Sequence, residues 1–379
     1  MAIYKPTLNF LNTVKVETKY SKSYVQDPRD ALFLSTVKDV EPTIITEAAD
    51  LLELGFAASD VMYKKVADAL AQGGIDTIIV YGVDVSADAV NLTPERIMEK
   101  YENEPAALNY SILILDVVNL ENAKKWAAAF KPLVDSKHLF VQLDKVNNTL
   151  TDIEAFRAAY AAANITTFIA DNDENIDNVD AITWARMRNR DLGSYIVHST
   201  EVRGVRQPDF TKTEQVTMKN AGLNFISNPI RGKFHIQNGL ANNGEPVELH
   251  LYKLWELWTL KERLTRLQIE IDKIPVNQSG FEMIEAVIKG VVFTAKNMGI
   301  AKSVNGDPFA IESKTDSDGN TVNYLLGKVE LQFPSEEDIR NSDFKFRYFH
   351  TLLDGVRHVD VAGYISQTGE LVLNEGGSN

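Results

Sequence analysis

Residues 11–20, "LNTVKVETKY", alternate cleanly: Val14, Val16, Thr18 and Tyr20 fall on one side, Lys15, Glu17 and Lys19 on the other. That period of two predicts a half-buried strand. A polar connector with a proline, "SKSYVQDPRD", separates it from the next segment. Between about residues 31 and 200 the period switches back and forth. Helical spacing marks "TEAADLLELG", "SDVMYKKVADALAQGG", "TPERIMEKYE", "LENAKKWAAAFKPLV" and "LTDIEAFRAAYAAAN". Ser59 and Thr93 stand at N-cap positions, Pro94 at a first helical position, and Gly73 at a helix end. Between these helices lie the apolar runs "DTIIVYGV", "YSILILDVV", "HLFVQLD", "TTFIAD" and "GSYIVHS". Uncharged strands alternating with amphipathic helices predict a mainly parallel sheet covered on both faces.

The character changes near residue 201. "EQVTMKN" and "GKFHIQNG" read as strands of an antiparallel region, with Asn238-Gly239 and Asn243-Gly244 as turn dipeptides. The stretch "GLNFISNPIRGKFHIQNGLANNGE" could be a phosphate-cradling loop, but its glycines flank strands rather than open a helix, so turns are expected. A long helix comes next. Leu257, Leu260, Leu264, Leu267, Ile271 and Ile274 recur at three- and four-residue spacing until Pro275. After Ser279-Gly280 the stripe Phe281, Ile284, Ile288, Val291, Ala295 and Met298 repeats it, and Gly299 ends it. Joined by "PVNQSG", the two predict an antiparallel helical hairpin; a coiled-coil dimer is the alternative. "NYLLGKVELQF", the more basic "DFKFRYFHTLLDGVRH" and the alternating "VDVAGYISQTGELVLNEGGSN" complete the chain.

Length narrows the picture little: 379 residues imply two domains. Charge narrows it more. A net charge of -14 speaks against a nucleic-acid coat or a binder of anionic membranes, so neither partner is expected. With no cysteines, disulfides, thiolate metal sites and cysteine nucleophiles are excluded. The start "MAIYKPTLNF" lacks the pattern of a signal peptide, and no run has the length of a membrane-spanning helix, so no membrane anchor is expected.

Chemistry is sparse. No GxxxxGK[ST] or GxSxG occurs, and the single glycine after "DTIIV" makes no dinucleotide fingerprint. "DNDENIDNVD" begins like a calcium loop with Asp171, Asp173 and Asn175, but Ile176 and Ile182 stand where glycine and a bidentate glutamate belong. It reads as an acidic solvated loop, and nearly all other carboxylates as solvated surface. His138, His198 and His235 sit at or in expected strands as satisfied, partly buried rings, while His350 and His358 are too far apart for a helical ligand pair. Trp126, Trp184, Trp255 and Trp258 read as core. No cofactor, metal or catalytic residue is expected.

The order of segments adds what the motifs lack. "EPTIITEAADLLELGFAASDVMYKKVADALAQGGIDTIIVYGV" resembles the start of the outer domain in contractile tail sheath proteins of bacteriophages and tailocins. That family shows a "p.lits…e…fG" stretch, a helix ending in glutamine-glycine, and an apolar strand. "AGLNFISNPIRGKFHIQNGLANNGE" and "LWELWTLKERLTRLQIEIDKIPVNQSGFEMIEAVIKGVVFTAKNMGI" look like the sheath core, a hairpin followed by a long helix, an "iP.t..G" turn and a second helix. "GVRHVDVAGYIS" is similar to the closing strand. The chain is short for a phage sheath, implying one outer domain without insertions.

The resemblance implies an α/β plus α+β fold: an N-terminal arm (1–25), an outer α/β domain (26–200), an inner α+β core (201–358) and a C-terminal arm (359–379). It implies a structural subunit, not an enzyme, polymerising helically as stacked hexameric rings around a tail tube and contracting to drive the tube through a host envelope. The implied partners are further copies, the tube protein, and baseplate and tail terminator proteins. The implied location is a virion tail assembled in the bacterial host cytoplasm. Val14, Val16 and Thr18 at one end and Val359, Val361 and Ile365 at the other are then expected to line strands exchanged between subunits, since an isolated alternating strand must find an edge elsewhere. Lys345, Arg347 and Arg357 are expected to face an acidic tube, a solvated mixed-charge face being the alternative. The competing reading of the whole chain is an α/β enzyme or small-ligand-binding protein with its site at the strand C-termini of residues 76–200.

Overall fold

The computed structural model describes residues 27–86, 88, 91–116, 119–145, 147–171, 178–198, 200–206, 208–230, 232–271, 274–275, 277–315, 321–332, 344–351, 358–365 and 371–375. Two compact units emerge, one of residues 26–191 with 195–254, the other containing 192–194 and everything from Trp255 onward. The division runs inside the long helix, whereas the sequence pattern changes near residue 201.

The α/β unit is built on a six-stranded sheet ordered β2-β3-β1-β4-β5-β6. Its strands are β1 (Ala31–Ser35), β2 (Val40–Ile45), β3 (Ile78–Gly82), β4 (Ile112–Leu115), β5 (His138–Asp144) and β6 (Ile165–Ala170). β2 runs antiparallel to β3; the other neighbours are parallel. β1, β4, β5 and β6 are buried at every position, as strands covered on both faces must be. The covering helices are α1 (Asp50–Glu53), α2 (Val61–Ala71), α3 (Pro94–Asn103), α4 (Leu120–Phe130), α5 (Leu150–Ala159) and α6 (Val179–Arg188). Leu32, Leu34, Leu113, Leu139 and Val141 of the sheet pack with Ile97, Trp126, Phe130 and Phe156 of the helices in one core. Trp126, Trp184 and Trp255 are buried as expected, and Trp258 is half-buried.

β7 (Glu201–Val202), α7 (Lys212–Asn220), β8 (Phe225–Ile230) and β9 (Lys233–Gln237) come next in the chain, with the small sheet ordered β7-β9-β8. "EQVTMKN" is helix α7, not the expected strand. A reciprocal capping box fixes it: Thr211 Oγ1 accepts from Glu214 N at 3.2 Å, and Glu214 Oε2 accepts from Thr211 N at 2.8 Å. "GSYIVHS" alternates in burial, Tyr195 and Val197 in, Ile196 and His198 out, yet forms no strand. Its periodicity is real, but no ladder takes it up.

"GLNFISNPIRGKFHIQNGLANNGE" is the β8–β9 hairpin with its turns, and it caps the β6 edge. Asn224 N and Nδ2 donate to the Thr167 carbonyl, at 3.3 and 2.8 Å, and Ile169 N donates to the Asn224 carbonyl at 2.8 Å. Asn242 N donates to the Ile165 carbonyl at 2.7 Å. Asn238 and Gly239 both take positive φ, 66° and 62°. A Cβ on Gly239 would also lie 2.5 Å from His198 N. The opposite edge, β2, carries Pro42, which has no N–H, and a register shift between Val40 and Thr43. Both edges of the six-stranded sheet are thus blunted.

The long helix α8 (Val247–Ile271) and α9 (Gln278–Asn297) form the expected hairpin. In the C-terminal unit, Ile284, Ile288, Val291 and Ala295 are fully buried, and Arg263 donates to Thr294 Oγ1 at 2.9 Å. Asn277 caps α9 by accepting from Gly280 N at 3.2 Å. β10 (Ile311–Thr315) and β11 (Thr321–Leu325) pair as a ribbon. β12 (Gly327–Gln332), β13 (Phe344–Thr351), β14 (His358–Ile365) and β15 (Leu371–Glu375) form an antiparallel sheet in chain order.

Candidate functional site

Open α/β sheets take their ligands outside the strand carboxyl ends, where the strand order reverses. Here the chain leaves β1 for β3 on one side and returns to β4 on the other, so that point lies between Ser35 and Asp116. It is occupied by the protein itself. Asp116 accepts from Ser35 Oγ at 2.8 Å, Thr36 N at 2.9 Å and Thr36 Oγ1 at 2.8 Å. Burial pushes the Asp116 carboxyl above its usual range, against these donors and the nearby Lys65 charge. Lys65 of α2 and Asp180 of α6 form a fully buried ion pair. Asp180 N donates to Gln142 Oε1 of β5 at 3.3 Å, and Asp180 Oδ1 accepts from Ala181 N at 2.7 Å. Next to it, Asp68 accepts from Asn178 Nδ2 at 2.6 Å. Burial leads the upward shift of the Asp68 carboxyl.

Six carboxylates are exceptions to the expectation that nearly all are solvated surface. Asp116, Asp144, Asp180, Glu248 and Glu256 are buried, and so is Asp171, which pairs with Arg206. The middle of the acidic run, residues 172–177, lies outside the described residues. No sequence motif announces the cluster, because its members come from separate elements and only the fold brings them together. Among the described residues no group of three or more His, Asp or Glu is placed to hold a metal ion, and no helix is long and apolar enough to cross a membrane.

The C-terminal sheet differs in kind. Phe346, Tyr348 and His350 of β13 are buried, while Arg347 between them is exposed, as a strand with one covered face requires. His350 Nε2 lies 2.6 Å from Glu256 Oε1 of α8. Burial opposes a charge on His350, but the Glu256 carboxylate outweighs it and raises the imidazole above its usual range. Val359, Val361 and Ile365 lie on β14, which is paired on both sides within the chain: Val361 stands opposite Tyr348 of β13 and Glu375 of β15. The premise that this strand lacks a contiguous partner is therefore corrected. The outer neighbour position of β15 is unfilled among the described strands. Arg347 lies opposite Glu330, and Lys345 opposite Gln332. Val14, Val16, Thr18 and Arg357 lie outside the described residues.

No family profile matches the sequence, and no curated protein matches it. Solved structures do. A chain of the six-fold symmetrised anti-feeding prophage baseplate superposes with a TM-score of 0.61 at 11% identity, over 88% of this chain and 90% of that one. A chain of the contracted sheath complex of PVC, an extracellular contractile injection system, superposes with a TM-score of 0.59 at 15% identity, over 94% of both chains. The sheath tail protein Lin1278 from Listeria innocua gives 0.51 at 8% identity, over 95% of this chain and 99% of that one. Helices, a mainly parallel sheet and an antiparallel C-terminal sheet, in this order and over nearly the whole length, make the fold of this chain that of contractile injection-system sheath proteins.

Proposed function

We propose that the chain is a structural subunit of a contractile sheath, a helical homopolymer of stacked hexameric rings around a tube in a phage-like tail. Its partners are further copies, a tube protein, and baseplate and terminator proteins; it acts by assembly and contraction, not catalysis. The observation that carries this reading is end-to-end correspondence with a sheath chain, 94% of each covering the other. The self-occupied switch point supports it, because the place where an α/β enzyme would hold a substrate is held by Asp116 and its donors. Negative-stain electron microscopy of the purified protein tests it. Striated tubes or rings are expected; uniform small particles at every concentration would refute it.

Strand exchange between copies, with Val14, Val16 and Thr18 on one arm and Val359, Val361 and Ile365 on the other, belongs to the same proposal. Proline at Val361 would break a ladder within the chain, so the discriminating change is Val16→Pro, which deletes one N–H of the N-terminal strand. This variant, like deletion of residues 1–20, is expected to give soluble, folded protein that forms no sheaths. Polymers of normal length from Val16→Pro would sink the exchange reading.

The tube-facing assignment of Lys345, Arg347 and Arg357 is likewise proposed, on the charge contrast with an acidic chain. Lys345→Glu with Arg347→Glu is expected to impair assembly on tubes while leaving the circular dichroism spectrum unchanged. Normal sheathed tails from that double variant would return these residues to the solvated face.

A further inference from the structure

Helix α8 carries two imidazole contacts, one on each side of the unit division. In the α/β unit, His250 Nε2 lies 2.7 Å from the Val134 carbonyl oxygen, and His250 Nδ1 lies 2.8 Å from His138 Nδ1 of β5. His138 Nε2 in turn lies 2.8 Å from Thr166 Oγ1 of β6. A carbonyl only accepts, so His250 Nε2 carries the hydrogen and its Nδ1 carries the lone pair. His138 Nδ1–H then donates to it, and His138 Nε2 accepts from the Thr166 hydroxyl. Both rings are buried and no described carboxylate touches either, so a proton taken up by the pair, which would switch His138 to the tautomer that donates from Nε2 to Thr166 Oγ1, places a cation without a contacting counter-charge in the interior. The other charges acting on His250 are Lys253 of α8 and Glu245 before it, and the Phe140 ring stands T-shaped to His138.

In the C-terminal unit the demand is reversed. His350 meets the Glu256 carboxylate from α8, with buried Tyr348 as the further titratable neighbour and the Thr351 backbone alongside. That contact is strongest when the ring is charged.

We propose that α8 is gripped in the α/β unit by a neutral histidine pair and in the C-terminal unit by a charged histidine, so that proton uptake loosens the first grip and proton loss loosens the second. Burial holds His138 well below its ordinary range and His250 at about 4. The first grip is therefore intact above the unfolded value of 6.5 and is lost progressively as pH falls toward about 4. His350 is raised, so the second grip is intact below 6.5 and is lost as pH rises through the raised value.

Hydrogen exchange of the full chain from pH 4 to 9, corrected for intrinsic rates, tests this. Residues 247–254 should lose protection on the acid side, by about tenfold per pH unit for a single coupled proton. Residues 255–262 and 346–351 should lose it on the alkaline side. Glu256→Gln should flatten the alkaline limb and leave the acid limb in place. Should that variant fail to fold, the carbon-13 histidine signals of the wild-type protein decide the matter. Two rings should stay neutral down to about pH 5. One should stay charged above the ordinary value of 6.5. If both segments of α8 respond to pH in the same direction, or neither responds, the proposal is wrong.

Discussion

Lys65→Ala should destabilise the α/β unit by about 3–5 kcal/mol, the usual cost of removing one partner from a buried ion pair. Both groups of the Lys65–Asp180 pair are fully buried, so the remaining carboxylate would have no water to turn to. Its other contacts do not replace the ammonium: Asp180 Oδ1 already accepts from Ala181 N. The loss would spread, because Asp180 and Gln142 link α6 to β5 while Lys65 belongs to α2. Urea unfolding followed by circular dichroism measures the cost. The Lys65→Met, Asp180→Leu double variant should recover most of it, since a packed apolar pair carries no desolvation penalty. A cost below about 1 kcal/mol for Lys65→Ala would mean that the pair is hydrated and open.

Gly280→Ala should be the most damaging one-carbon addition in the C-terminal unit. Gly280 is in the first turn of α9, and a Cβ built there falls 1.8 Å from the Pro275 carbonyl oxygen and 3.2 Å from Ile274 Cγ2. No rotamer relieves this, because the atom is fixed by the backbone and the obstacle is backbone too. Either the Ile274–Pro275 turn moves or the first turn of α9 unwinds, losing the Asn277 cap. A cost of about 3 kcal/mol is expected, at the upper end for overpacking. Thermal unfolding should show it, with helical signal lost. A melting temperature within about 2 °C of wild type, under 1 kcal/mol for a unit of this size, would show that the turn yields freely.

Much of this architecture was legible in the pattern of residues. The stripes from Leu257 to Ile274 and from Phe281 to Met298 predicted the hairpin, and Pro275 and Gly280 marked its turn. The parallel sheet was implied by charge-free runs such as "SILIL". What escaped has physical causes. β1 has four apolar residues in a row before Ser35 and no alternation, and α6 is buried nearly all round, so neither shows a one-sided pattern. "EQVTMKN" alternates like a strand, but its capping box decides for helix. The occupied switch point was not legible at all. Ser35, Lys65, Asp116 and Asp180 have no sequence spacing in common, and only the strand order makes them neighbours. The alternation of β14 was legible, yet its partner depended on how the chain returns, which periodicity does not encode.

The covered edges of the six-stranded sheet have a consequence for crowding. In an ordered polymer, α/β units would stand at very high local concentration, where any bare strand edge recruits another. Pro42 and the Val40/Thr43 irregularity spoil one side as a template, and the Asn224 and Asn242 backbones already occupy the other. Growth by extension of the six-stranded sheet is therefore shut off. Among the two larger sheets of the described residues, only the one formed by β12 to β15 keeps a side on which a strand can be added. In the sheath assembly proposed, copies could then stand side by side at high density without edge pairing between their six-stranded sheets.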